Sequence, residues 1–354
     1  MKRAALFLSL AIAALALPGS ATATPATTIR ASEPNLADQG TLGTQASAGG
    51  DGPVMSGNGR FVAFKSASPN LVVSDTNGKL DAFVRDLLTG EVERVSVTSA
   101  GAESAGAVGR VDDISSDGRY VAFSSLDALL APGPSSCLCL YVRDRLLSTT
   151  AWVPGIGPWG FGSVKISDDG VYVLFETTEL LSPFDVQPYS DVYLKDRSGG
   201  GISLVSVTPL GFSGNHQSYR ADLTPDGTKA VFVSRASDLV SGDTNATEDA
   251  FVRNLTAGTT QRVSLGDAEN EAEVVFSFDG ISGDGEIALF TATDTDLAPG
   301  ATNGAVHIFA RDLAAGTTEV ISVDSGEVQS VANQNFSQPV ASADGRYIAF
   351  ETNG

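Results

Sequence analysis

Three loops of this chain gather oxygen-bearing side chains at one repeated spacing. They are Asp75-Thr76-Asn77-Gly78-Lys79-Leu80-Asp81, Asp243-Thr244-Asn245-Ala246-Thr247-Glu248-Asp249 and Asp185-Val186-Gln187-Pro188-Tyr189-Ser190-Asp191. Positions one, three and seven carry a carboxylate or an amide in all three. Hard cations such as Ca²⁺ take several oxygens from a flexible loop, and an Asp-x-Asn start is common in such loops. Asp75, Asn77 and Asp81, Asp185, Gln187 and Asp191, and Asp243, Asn245 and Asp249 are therefore the candidate metal ligands, and calcium is the candidate cofactor. The alternative is local: Asp and Asn at these positions form Asx turns that start the next strand. An EF-hand shell does not fit. Its closing ligand would be Asp86, which an intervening strand carries about 16 Å from Asp81.

Other chemistry is sparse. The only histidines are His216 and His307, far apart in sequence. No G-x-S-x-G elbow occurs, and no histidine cluster has metal-ligand spacing. His216, in Gly214-Asn215-His216-Gln217, reads as a loop surface residue. Acids are abundant, so a spatially paired set for glycosidic cleavage remains an alternative. Cys137 and Cys139 are the only cysteines. Alternate strand residues face one side, so the two are either bridged after export or two small buried hydrophobes.

The elements that hold these loops repeat. Turn glycines stand at Gly59, Gly118, Gly170, Gly227, Gly285 and Gly345, each after Asp or Asn, and a phenylalanine follows five residues later at Phe64, Phe123, Phe175, Phe232, Phe290 and Phe350. Asp-Gly between apolar runs signals a tight hairpin. Two further strands follow in each unit, exemplified by Asp81-Ala82-Phe83-Val84-Arg85 and Glu93-Arg94-Val95-Ser96-Val97, with Asp86-Leu87-Leu88-Thr89-Gly90 as the turn between them. Four antiparallel strands repeating at a fixed period describe a propeller blade. The expected fold is all-β: a six-bladed β-propeller of four-stranded antiparallel blades. Complete blades span about 50–97, 108–154, 160–208, 218–265 and 276–323. A sixth starts near Gln334 and is incomplete or closed by the N-terminal strand Thr27-Thr28-Ile29-Arg30-Ala31-Ser32.

Residues 1–23 read as a signal peptide, with Lys2 and Arg3, an apolar core from Ala4 to Leu17, and an Ala21-Thr22-Ala23 cleavage site. The expected domains are thus the leader, 1–23, and one propeller, 24–354. The mature protein is expected to be periplasmic or extracellular, monomeric, and without a membrane span. Losing the leader leaves 20 basic against 42 acidic residues, a charge of −22. Such a surface repels phosphate backbones and excludes nucleic acid as a partner.

With the repeats laid out, the chain resembles the TolB-type β-propeller family of exported bacterial proteins, whose repeats are WD-like. Ser115-Ser116-Asp117-Gly118-Arg119-Tyr120-Val121-Ala122-Phe123 and Ser342-Ala343-Asp344-Gly345-Arg346-Tyr347-Ile348-Ala349-Phe350 carry the resemblance, with weaker copies from Ser56, Ser167, Thr224 and Ser282. It implies six blades and partner binding. Both hairpin turns of every blade fall on one face of the disc. The second-to-third-strand loops and blade crossovers fall on the other, and loops on a rigid scaffold favour binding. The expected function is a non-enzymatic binding or scaffold propeller, taking a protein, peptide or glycan on that loop-rich face, with calcium as its candidate stabilising ion. The alternatives are a propeller polysaccharide lyase or glycosidase, and the propeller portion of a longer secreted protein.

Overall fold

A computed structural model describes residues 4–5, 52–126, 138–154, 162–245, 247–293, 296–299, 304–323 and 336–352. Among these, regular structure is strand only. Five sheets have four strands each, paired in sequence order. The first joins β2 (Val54–Met55), β3 (Phe61–Ser66), β4 (Asp81–Asp86) and β5 (Val92–Arg94), preceded in the chain by a two-residue β1 (Ala4–Ala5). The second joins β6 (Val108–Ile114), β7 (Tyr120–Ser125), β8 (Cys139–Asp144) and β9 (Thr149–Trp152). The third contains β10 (Val164–Ile166), β11 (Tyr172–Thr177), β12 (Asp191–Asp196) and β13 (Ile202–Leu204). The fourth contains β14 (Ser218–Leu223), β15 (Lys229–Ser234), β16 (Asp249–Asn254) and β17 (Thr259–Arg262). The fifth contains β18 (Val274–Ile281), β19 (Ile287–Thr293), β20 (Val306–Asp312) and β21 (Thr317–Val320). All pairings within these sheets are antiparallel.

A sixth sheet holds β22 (Phe336–Ala341) and β23 (Tyr347–Thr352), with β1 against β23 in parallel. Among the described residues, only these two of the expected leader pair with the outer edge of β23. The expected closing strand, Thr27 to Ser32, lies outside the described residues. First strands of successive sheets touch one another, from β2 and β6 through to β18 and β22. That is the arrangement of propeller blades, inner strand against inner strand.

In the five four-stranded sheets, the phenylalanine after the turn glycine has an aromatic partner on the next strand. Phe64 faces Phe83, Phe123 faces Tyr141, Phe175 faces Tyr193, Phe232 faces Phe251 and Phe290 faces Phe309. Their rings stack at centroid distances of 5.5 to 5.9 Å. Apart from Phe64, itself 5 % exposed, all these rings are fully buried. Burying an aromatic side chain dominates local core energetics, and the stacked pair adds to it.

The turns join the blades as well as the strands. In each, a Ser or Thr hydroxyl donates to the Asp or Asn two residues on, as Ser115 does to Asp117 at 2.8 Å, and that side chain accepts the N–H beyond the glycine. Neighbouring turns then bond across the gap: Asn58 N–H to the Ser116 carbonyl, Asp168 N–H to Pro225, and Asp284 N–H to Ala343. The glycine is needed twice over. Gly118 has φ +78°, and a Cβ there would lie 2.1 Å from the Phe61 ring of the preceding blade. Gly59 has φ +68° with nothing within 4 Å of such a Cβ.

That contrast sets a prediction. Gly59→Ala should cost about 1–2 kcal/mol for the left-handed backbone alone. Gly118→Ala should add a packing penalty of about 1–3 kcal/mol. Urea melts of the two variants measure the difference, and equal losses would contradict the docking role of Gly118.

Candidate functional site

The loop that links the second and third strands ends where the third strand begins, and its last Asp starts that strand buried. Asp81, Asp191 and Asp249 are all fully buried. Each accepts a hydroxyl hydrogen bond from the fourth strand's extension: Ser96 to Asp81 at 2.6 Å, Ser206 to Asp191 at 2.6 Å, and Ser264 to Asp249 at 2.5 Å. The same serines accept the next backbone N–H, from Ala82, Val192 and Ala250. The Asp–Ser pair thereby closes the blade's outer corner. In blade five, His307 and Ser322 make the equivalent contact at 2.8 Å.

In blades one and four the loop acids surround an arginine. Arg94 Nη1 lies 3.5 Å from Asp75, 3.9 Å from Asp81 and 2.5 Å from Glu103. Arg262 Nη1 lies 3.6 Å from both Asp243 and Asp249, and its Nη2 lies 2.8 Å from Glu271. Glu103 and Glu271 also accept the backbone N–H and hydroxyl of Thr76 and Thr244. The amides act locally: Asn77 accepts the Lys79 N–H and donates to Asp81 at 2.8 Å, and Asn245 accepts the Thr247 N–H and donates to the Ala272 carbonyl. The structure thus brings Asp75, Asn77 and Asp81 together, and likewise Asp243 and Asp249, around a guanidinium. Arg94 and Glu103, with Arg262 and Glu271, are the members that spacing within the loop could not disclose, because they come from the fourth strand and the crossover after it.

Burial raises the Asp75, Asp81 and Asp243 carboxyls, and pushes Asp249 up to about 6. Both Asp75 carboxylate oxygens are buried without a hydrogen bond. Three acids therefore share one guanidinium in each cluster.

Blade three differs. Asp185 accepts a hydrogen bond from the Tyr193 hydroxyl and one from the Gln187 N–H at 3.4 Å. Asp191 keeps its serine, but its Oδ2 is buried with no hydrogen-bond partner among the described residues. Burial pushes this carboxyl up to about 7. The arginine position holds Leu204, opposite Tyr193 as Arg94 is opposite Phe83. Gln187 enters through its backbone. Among the described residues, no group of three or more His, Cys, Asp or Glu side chains gathers in a metal-holding arrangement.

A second charged set lies on the inner strands, outside the three loops. Lys165 Nζ is 3.3 Å from Asp222, and Asp113 accepts the Ile166 N–H at 2.8 Å. Burial pushes Asp113 up to about 6, while Asp222 foremost raises Lys165. A cavity of about 370 Å³ here is lined by Ser163, Lys165, Arg220, Asp222, Ser277 and Gly280. Arg220 has φ +54° at a bulge in β14. The three charged residues stand two positions before the turn Ser or Thr of adjacent blades, so aligning the repeats on that hydroxyl would have put them at one level.

His216 stacks on Tyr189 at 4.8 Å and accepts the Gln217 N–H, and His307 is fully buried, its pKa lowered by burial. Cys139 is buried and disulfide-bonded, and Cys137 lies outside the described residues. Position 12 of the loop frame, Asp86, sits at the other end of β4, where Arg60 donates to it from Nε and Nη2.

No family model and no curated protein matches this chain. Among solved structures, it is similar to TolB from Acinetobacter baumannii, at 14% identity and a TM-score of 0.43 over 75% of this chain and 52% of that one. It is similar also to dipeptidyl peptidase 4 from Porphyromonas gingivalis, at 13% identity and a TM-score of 0.49 over 84% of this chain and 41% of that one. The chain spans about half the length of the Acinetobacter protein.

Two predictions follow from the ion clusters. Arg94→Met leaves three acids uncompensated and should cost about 3–5 kcal/mol at neutral pH, with the loss shrinking as acid protonates them. Chemical denaturation at pH 7 and pH 5 reads it, and a pH-independent loss would contradict the ionic role. For Asp191, the folded carboxyl titrates near 7 and an unfolded one near about 3.9. Its contribution is full below about pH 4 and is lost as pH rises to about 7. The difference in stability between Asp191→Asn and wild type should therefore move in the variant's favour over that interval. A flat difference would contradict it.

Proposed function

We propose that this chain is an exported, non-enzymatic six-bladed propeller that binds a protein, peptide or glycan partner on its loop-rich face. The observation that carries this reading is the contrast between the two faces. The turn face repeats one solution: hydroxyl to Asp, glycine against the neighbouring blade, and an Asx turn at the second hairpin, as at Asp86, Asp144 and Asp312. The loop-rich face keeps the backbone plan and changes the side chains, with an arginine-centred cluster in blades one and four and its replacement in blade three. Variation over a constant frame is how one scaffold acquires a partner.

The supporting chemistry is negative charge, and the serine–histidine contact that the described residues contain, Ser322 with His307, is buried in a strand corner. The two histidines are engaged in stacking and in a buried corner bond. No helix among the described residues is long and apolar enough to cross a membrane. In this reading only blade three is left for an added cation, either calcium or a side chain of the partner, because an arginine already stands between the acids of blades one and four. A calcium-dependent rise in melting temperature, lost in Asp185→Asn, is its measure.

The face assignment is tested by placing a photo-crosslinking amino acid at Val73 or Leu210 on the loop-rich face and at Leu88 or Leu146 on the turn face, all of them exposed. Irradiation in the native cell should give partner adducts from the first pair only. Adducts from the second pair, or from neither, would contradict the proposal.

A further inference from the structure

Blades one, three and four share the same loop backbone, and blade three has exchanged its charges for apolar surface. The register fixes the equivalences: Val97 bridges Glu103, Val207 bridges Ser213, and Leu265 bridges Glu271. The N–H groups of Thr76, Val186 and Thr244 each donate to that next side chain. Where blades one and four have Arg94 and Arg262, blade three has Leu204. Thr76 and Thr244 become Val186, Ser74 and Gly242 become Phe184, Ala102 and Asn270 become Phe212, and Ala100 and Ala268 become Leu210.

The result is a cluster of large apolar side chains in water. Leu210 is 84% exposed, Val186 57%, Phe184 54% and Phe212 43%. The Phe184 and Phe212 rings meet edge to face at 6.0 Å, and Ser213 N–H donates to the Phe184 carbonyl. Clustered exposed hydrophobes of this kind mark interaction surfaces. Asp185 lies between Phe184 and Val186, and Asp191 has a buried, unpartnered oxygen where the other blades supply a guanidinium.

We infer that this blade-three surface docks a polypeptide segment presenting arginine or lysine beside apolar side chains. Charge complementarity selects that occupant. The chain carries a formal charge of −20, and the two acids beneath the patch have lost the internal cation that their counterparts keep. An incoming cation is drawn toward Asp185 and Asp191, the counterparts of Asp75 and Asp81 that Arg94 neutralises in blade one, while leucine or phenylalanine side chains cover Phe184, Phe212 and Leu210. The inference rests on the loop-rich face being the binding face and adds its site and the partner's chemistry.

Fluorescence anisotropy with three labelled peptides tests it: alternating Arg and Leu, alternating Glu and Leu, and alternating Arg and Ser. The Arg/Leu peptide should bind about tenfold or more tightly than either other. Phe184→Ser with Phe212→Ala, the residues blade one carries at those places, should weaken it by a similar factor with melting temperature unchanged. If that double variant does not fold, Leu210→Ala carries the same comparison. Equal binding of the Arg/Ser or the Glu/Leu peptide, or binding indifferent to the substitutions, would overturn the inference. Binding indifferent to them but blocked by Val73→Trp would overturn the patch and leave the face reading intact. Binding blocked instead by Leu88→Trp, on the turn face, would overturn both. A dimer seen by light scattering and dissolved by the double variant would place a second copy of this chain on the patch and overturn the basic-peptide occupant.

Discussion

Every turn glycine after Gly59 packs beneath the first residue of the second strand of the blade before it. The contact recurs between Gly118 and Phe61, Gly170 and Tyr120, Gly227 and Tyr172, Gly285 and Lys229, and Gly345 and Ile287. A side chain at any of these glycines would come within 3 Å of its neighbour, so blade spacing depends on the absence of a Cβ. The positive φ of the same residue shapes the hairpin. One residue type therefore sets both the turn and the distance between sheets. The aromatic pair inside each sheet then fills the room that this distance leaves. Because the constraint lies on the turn face, the opposite face is free to change.

The blade repeat was legible because its signals are local. Asp-Gly pairs, the phenylalanine five residues on, and the third-strand pattern from Asp81 to Arg85 each lie within a few residues of chain, and the sheets follow them. The β22–β23 pairing follows from the same signals, Asp344-Gly345 and Phe350. The candidate site was half legible. Asp75, Asn77 and Asp81 announce themselves by spacing, but Arg94 and Glu103 enter from segments 13 and 22 residues beyond Asp81. An acid loop and an acid loop wrapped around a guanidinium look identical when only the loop is read. The inner-strand set of Asp113, Lys165 and Asp222 went unseen for a different reason. β10 is only three residues long, and β6 and β14 are interrupted by bulges, so no alternation marks which side chains share a face.

Internal comparison recovers what spacing misses. Three copies of one loop within a single chain act as controls for each other: the same N–H donates at Thr76, Val186 and Thr244, and the same Asp–Ser pair closes the corner. Against that constant frame, the loss of arginine and glutamate in blade three and the arrival of Phe184, Val186 and Phe212 form one coordinated change. A buried charge cluster of this sort contributes modestly to net stability, whereas removing only one partner is costly. Blade three has lost arginine and glutamate together, which avoids stranding a cation and leaves Asp185 with the Tyr193 hydroxyl and Asp191 with the Ser206 hydroxyl, the latter carboxyl shifted by burial toward its neutral form.

The most direct measurement restores the blade-one solution in blade three with Phe184→Ser, Val186→Thr, Leu204→Arg, Phe212→Ala and Ser213→Glu in one protein. If the loop-rich face is a constant frame with exchangeable side chains, this protein folds, and urea melts at pH 7 show it at least as stable as wild type. A loss of more than about 2 kcal/mol, well beyond ordinary surface substitution, would show that blade three's apolar residues belong to its core packing and would contradict the account.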